Sequence, residues 1–264
     1  MTDTRPLALI TGASSGIGLE LARQFAGGGY DLLLVAEDDA LDAAAAGLRA
    51  GGVQVQAVQA DLRTEAGVEQ VRTALLADGR PLDAAALNAG IGQGGAFVDQ
   101  KIDDVLSLID LNVRSTVLLA HEVLGSMVAR GSGRVLVTSS IASTMPGPFQ
   151  AVYNASKSFL QSFTKALQGE LAGTGVTVTS LMPGPTDTNF FLRGDLLDTV
   201  MGSGPKDSPA DVARQGYEAL MAGRQQVVAA SLMSKLMAAS NAVLPDPVKV
   251  AAHRLMTKPR SSLR

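Results

Sequence analysis

Short apolar runs recur along the chain: LALIT (7–11), DLLLVA (31–36), VQVQAV (53–58), DAAALN (83–88), RVLVTS (134–139), VTVTSL (176–181) and QVVAA (226–230). Several are apolar at consecutive positions, the pattern of strands covered on both faces. Between them lie segments such as 19–26, 41–50, 68–77 and 105–130, whose apolar residues return every third or fourth position. That is the helical period. Strand and helix therefore alternate, which predicts an α/β protein: a doubly wound parallel sheet with helices on both faces.

No repeat and no linker interrupts this alternation, so a single domain over residues 1–264 is expected. After Pro183 the sequence turns irregular and Gly/Pro-punctuated, an insertion at about 185–208, and a tail follows at about 231–264. Charged residues are only 18% of the chain and the formal net charge is −3, without basic runs. Nucleic acid, which needs clustered Lys and Arg, is excluded as an expected partner. There is no cysteine, which removes thiolate chemistry, disulfides and cysteine-based metal sites together. The start lacks a secretory pattern, and the longest charge-free stretch, 135–156, is broken by Pro146 and Pro148. No stable membrane insertion and a cytoplasmic location are expected.

The first strand runs into TGASSGIG, with Gly12, Gly16 and Gly18 opening the first helix. Such a turn aims backbone N–H groups and the positive helix end at a phosphate, and lets a cofactor approach closely. On its own it would equally be an ordinary tight turn. Its position after the first strand of a doubly wound pattern favours the phosphate. LNAG (87–90), Asn112 in DLNV, the serine pair 139–140, YNASK (153–157) and PGPTDT (183–188) follow in order. Together these motifs, over about residues 6–230, resemble the short-chain dehydrogenase/reductase family.

The resemblance implies a Rossmann-like, mainly parallel seven-stranded sheet and an oxidoreductase exchanging hydride between a nicotinamide cofactor and a secondary alcohol or carbonyl. Ser14, Ser15, Ile17 and the three glycines would hold the dinucleotide, Asp61 and Leu62 the adenine. Asn88, Ala89 and Gly90 would pass beside the cofactor. Pro183, Gly184 and Thr188 would face the nicotinamide, with Thr186 competing with Thr188. NAD is expected over NADP because Glu37, in VAEDD, can accept from both ribose hydroxyls. A 2′-phosphate facing a carboxylate at ~5 Å would cost about 7 kcal/mol at an effective dielectric of ~20, before screening. Relatives commonly carry the acid one position earlier, where this chain has Ala36; Glu37 facing solvent, with Glu37–Asp39 merely opening a helix, is the competing reading.

Tyr153 and Lys157 are four residues apart, which on a helix places them on one face. A tyrosine of pKa about 10 is a poor base at neutral pH. An ammonium at ~5 Å contributes about 3 kcal/mol, roughly two pKa units downward, and burial opposes it. By resemblance Tyr153 is the general acid/base and also contacts the cofactor, and Lys157 lowers its pKa and binds the nicotinamide ribose. The family spacing selects Ser140 over Ser139 to position the substrate oxygen, and the same resemblance implies that Asn112 opens a helix locally and supports a proton relay. His121 and His253 are read as structural and apart from these motifs. In 189–201, Phe190, Phe191, Leu196, Leu197 and Met201 suggest an apolar lid or, equally, core closure. Leu232, Met233, Leu236, Met237 and Leu244 form an amphipathic stripe in the tail. The expected partners are an apolar carbonyl or alcohol and, by resemblance, further copies in a homodimer or homotetramer. The competing class is a catalytically silent, dinucleotide-sensing binding protein on the same fold.

Overall fold

The computed structural model describes residues 5–229, 235 and 244–259. Seven parallel strands form one sheet: β1 (Leu7–Thr11), β2 (Asp31–Ala36), β3 (Val55–Gln59), β4 (Leu82–Leu87), β5 (Gly133–Thr138), β6 (Val176–Pro183) and β7 (Gln226–Ala229), in the order β3-β2-β1-β4-β5-β6-β7. The sheet is parallel throughout. Bounds differ from the sequence reading by a residue or two at β3 to β7.

Alternate residues of each strand enter separate cores, as the two-residue strand period requires. Ala8 and Ile10 join one core, which α1 (Gly16–Gly27), α2 (Ala40–Arg49) and α9 (Pro209–Met221) close with Leu21, Phe25, Leu41 and Val212. Leu7 and Leu9 join the other, closed by α3 (Glu65–Asp78), α5 (Ser115–Arg130) and α6 (Ala151–Glu170) through Val71, Leu119, Met127 and Leu160. Local sequence sets helix ends: Thr64 caps α3 by accepting from the Gly67 N–H at 2.9 Å, and Gly79 in the left-handed region stops it.

The segment expected as one helix is interrupted. α4 (Ile102–Ile109) passes through a single π turn, Asp110–Arg114, into α5. The late insertion carries α7 (Phe190–Arg193) and α8 (Val200–Ser203), and its two ends are pinned, Asp207 donating to the Pro185 carbonyl at 2.7 Å and accepting from the Asp187 N–H at 2.9 Å. α10 (Asp246–Thr257) returns to the sheet's C-terminal edge, where Thr257 donates to the Pro148 carbonyl at 2.8 Å. No described helix is long and apolar enough to cross a membrane. Of the expected tail stripe, Leu232, Met233, Leu236 and Met237 fall outside the described residues.

Candidate active site

After β3 the chain crosses back to place β4 beside β1, and at this reversal a crevice opens above the strands' C-terminal ends. Every site residue singled out from the sequence lines it except Asn112. The glycines serve distinct ends. Gly16 has φ +55°, a conformation side chains rarely adopt. A methyl group on Gly18 would fall on the Gly12 carbonyl, so the start of α1 can press against the end of β1 only because Gly18 has none. The cradle therefore presents backbone rather than side chains. Beneath it, Asn88 donates to the Thr11 carbonyl at 3.2 Å and accepts from Thr138 at 3.0 Å, tying β1, β4 and β5 together.

At the end expected to take the adenosine the acids divide their work. Glu37 is exposed and pairs with Arg63 at 2.6 Å; Arg63 also donates to both oxygens of Asp61, whose carboxyl it holds below the usual range. It is Asp38, not singled out from the sequence, that sits against the glycine turn, accepting from the Ser14 hydroxyl at 3.1 Å. Leu62 is buried and lines the crevice. At the other end Thr188 faces Gly16, its methyl 3.0 Å from where a Gly16 side chain would begin, whereas the Thr186 hydroxyl turns back onto the Gly184 carbonyl at 2.9 Å.

Tyr153 and Lys157 are buried in the first two turns of α6, both facing the crevice, with the Lys157 Nζ 5.9 Å from the phenol ring centre. That ammonium donates to the Thr138 carbonyl at 2.9 Å. The serines part company: Ser139 donates to the Lys157 carbonyl at 3.0 Å, while Ser140 lines the crevice close enough to the phenol to draw its pKa down, its hydroxyl accepting from the Ala142 N–H at 3.1 Å. Of the two opposed influences on the phenol, burial wins. It pushes Tyr153 up to about 12 against the downward pull of Ser140, and it pushes Lys157 down to about 8. The lowering expected from the ammonium does not emerge as the net effect in this geometry.

Asn112 is fully buried in the π turn, which opens the helix as expected. Its amide is spent on structure, accepting from the Ile91 N–H and donating to the Ile91 carbonyl, both at 2.9 Å. It thereby anchors the chain after β4. Gly90 leaves room there: a side chain on it would begin 3.1 Å from Asn112 and 3.3 Å from Lys157 Nζ.

The apolar segment splits three ways. Phe190 and Met201 line the crevice, with the Phe190 ring 5.2 Å from that of Tyr153. Phe191 lines it too, although it is buried; Leu196 closes the core, and Leu197 is exposed. The placement of His253 is a correction. It is structural but not remote: buried on α10, it meets Asn154 of the YNASK motif at 3.4 Å and the Pro148 carbonyl at 3.2 Å, and it lines the crevice. The approach depends on how the chain returns after β7, which no local pattern encodes. His121 is exposed on α5. Ile91, Met145 and Gln150 also line the crevice and were missed, because they belong to connections with no periodic signal.

Hydride exchange at a carbon–oxygen bond needs a dinucleotide in such a crevice and a weak acid at its end, and the chain is an oxidoreductase working with a nicotinamide cofactor. The family model for short chain dehydrogenases matches residues 6–193, and the chain belongs to that family. A short-chain dehydrogenase from Sphingobium yanoikuyae in complex with NADPH has a TM-score of 0.79 at 33% identity, over 84% of this chain and 87% of that one. A bulky-bulky ketone specific alcohol dehydrogenase from Comamonas testosteroni gives 0.75 at 29%, over 84% and 85%. A short chain dehydrogenase/reductase from Burkholderia phymatum in complex with NAD gives 0.78 at 25%, over 86% and 90%.

Proposed function

We propose that the protein interconverts a secondary alcohol and an apolar carbonyl compound with NAD(H) as its preferred cofactor, Tyr153 being the general acid/base. The observation that carries this reading is the meeting of the Tyr153 phenol, the Ser140 hydroxyl and the Lys157 ammonium in one buried corner of a glycine-walled crevice. Bound there, the nicotinamide supplies or accepts the hydride. Ser140 holds the substrate oxygen and Tyr153 gives it a proton in reduction, or removes one in oxidation. Lys157 keeps a positive charge beside the phenol and donates to the nicotinamide ribose. Asn112 acts as a positioning residue, holding Ile91 and through it the wall below Lys157, with the proton relay running past it. A dinucleotide sensor on this fold would have no use for the buried Ser140, Tyr153 and Lys157 set.

NAD is favoured by charge. Glu37, Asp38 and Asp61 all border the adenosine end, and the nearby Arg63 is already held by two carboxylates. A 2′-phosphate would face this group of acids. Similar structures hold NADPH, NAD and NADP, so the preference rests on this chain's own acids. Titration followed by cofactor fluorescence should show NADH binding at least about tenfold tighter than NADPH. Equal or reversed affinities would remove the ribose role of Glu37 and Asp38.

The substrate end is walled by Ile91, Met145, Phe190 and Met201, which suits an apolar carbonyl compound. Leu106 and Ile109 on α4, Leu118 on α5 and Phe159 on α6 are exposed, an apolar surface suited to a second copy in a homodimer or homotetramer. Light scattering is expected to give a dimer or tetramer mass; a monomer at micromolar concentration would reject this assembly. A cytoplasmic setting fits the cysteine-free chain.

A further inference from the structure

Among the described residues, two basic side chains border the crevice, Lys157 and Arg193. Lys157 is buried at the reacting end and donates to the Thr138 carbonyl. Arg193 has no place in that chemistry. It ends α7 in the late insertion, yet its guanidinium reaches across the crevice to Asp38 at 3.1 Å, joining residues 155 positions apart. The same Asp38 oxygen accepts from Ser14 of the glycine turn at 3.1 Å, and the other Asp38 oxygen is buried without a partner. Thr188, five residues before Arg193, already faces Gly16. The insertion thus carries a guanidinium to the glycine turn, where a dinucleotide's diphosphate belongs.

We propose that Arg193 is a cofactor-phosphate-binding residue that Asp38 holds ready. A diphosphate linkage carries two negative charges and offers oxygens in the geometry a guanidinium fork prefers, so it outcompetes a single carboxylate that already accepts from Ser14. On binding, Arg193 turns from Asp38 to the diphosphate, and the Asp38 oxygens are released toward the adenosine ribose hydroxyls. The insertion then closes only over a loaded cofactor, because the residue that draws it down binds the cofactor itself. This assignment rests on the dinucleotide reading of the crevice.

The test is calorimetric titration of the full-length wild type and the R193A and R193K variants with NADH, ADP-ribose and adenosine. The Arg193 side chain is 48% exposed, and an exposed pair contributes little to folding, so both variants should fold. R193A is expected to weaken NADH and ADP-ribose alike by about tenfold to a hundredfold, the range of a lost charge-assisted contact, while adenosine, which has no phosphate, is unchanged. R193K should recover part of the loss. Wild-type affinity for NADH in R193A would overturn the assignment. So would an equal loss for adenosine, which would make Arg193 a prop for the pocket. A wild type that binds neither NADH nor ADP-ribose overturns the dinucleotide reading, and this assignment falls with it.

Discussion

Replacing Tyr153 with phenylalanine is expected to lower kcat by about a thousandfold and change NADH affinity less than about threefold. Positioned acid/base groups contribute about 10²–10⁴-fold, and the variant removes only the hydroxyl. The ring that packs on Phe190 stays. Steady-state kinetics with cofactor absorbance, beside an NADH titration, reads both quantities, and retained turnover would end the role of Tyr153. The pH profile of the wild type gives a second reading of the same pair. Burial lowers Lys157 to about 8, so the ammonium is charged below that pH and is lost above it. The phenol, raised to about 12, stays protonated throughout that range. Carbonyl reduction should therefore hold level toward neutrality and decline above about pH 8, and a level rate beyond pH 9 would show that the charge of Lys157 is not needed.

Gly18→Ala is the second substitution with a large expected effect, acting on both stability and binding. The new methyl would meet the Gly12 carbonyl, which belongs to backbone and cannot swing aside as a flexible side chain would. Either α1 withdraws from β1 or the glycine turn distorts. Overpacking of this kind costs about 1–3 kcal/mol, and each kcal/mol lowers Tm by about 2–4 °C in a chain of this size. Thermal unfolding followed by circular dichroism should show a Tm lower by several degrees, and NADH binding should be lost or greatly weakened. An unchanged Tm with intact binding would mean that the turn does not depend on a bare backbone at Gly18.

The sheet was legible because most of its strands are buried on both faces, and several therefore carry consecutive apolar residues; the edge strand β3 still shows through its alternation in VQVQAV. Tyr153, Lys157 and Ser140 were legible because they stand in ordered motifs that resemble the family's, and spacing along one helix and one strand end puts them beside one crevice. What escaped depends on long-range return of the chain. Asp38 and Glu37 are adjacent in sequence, and only the packed position of the glycine turn shows which one meets Ser14. Arg193 carries no local signal, since its partner lies 155 positions away along the chain. The same holds for His253, whose neighbours are Pro148 and Asn154. The net pKa of Tyr153 could not be read either, because burial and a neighbouring charge act in opposite senses and only coordinates weigh them.

The widened turn at Asp110–Arg114 has a consequence for how this protein can vary. Each residue of an α-helix advances the next by about 100° around its axis. A single π turn takes up one extra residue without passing that rotation on to the helix beyond it. Deleting one position between 110 and 114 would therefore restore regular pitch and leave Leu119, Val123 and Met127 facing the core, while closing the opening from which Asn112 reaches Ile91. The extra residue thus serves the crevice rather than the sheet: shortening this five-residue window would disturb the wall at Ile91 while the packing behind it holds.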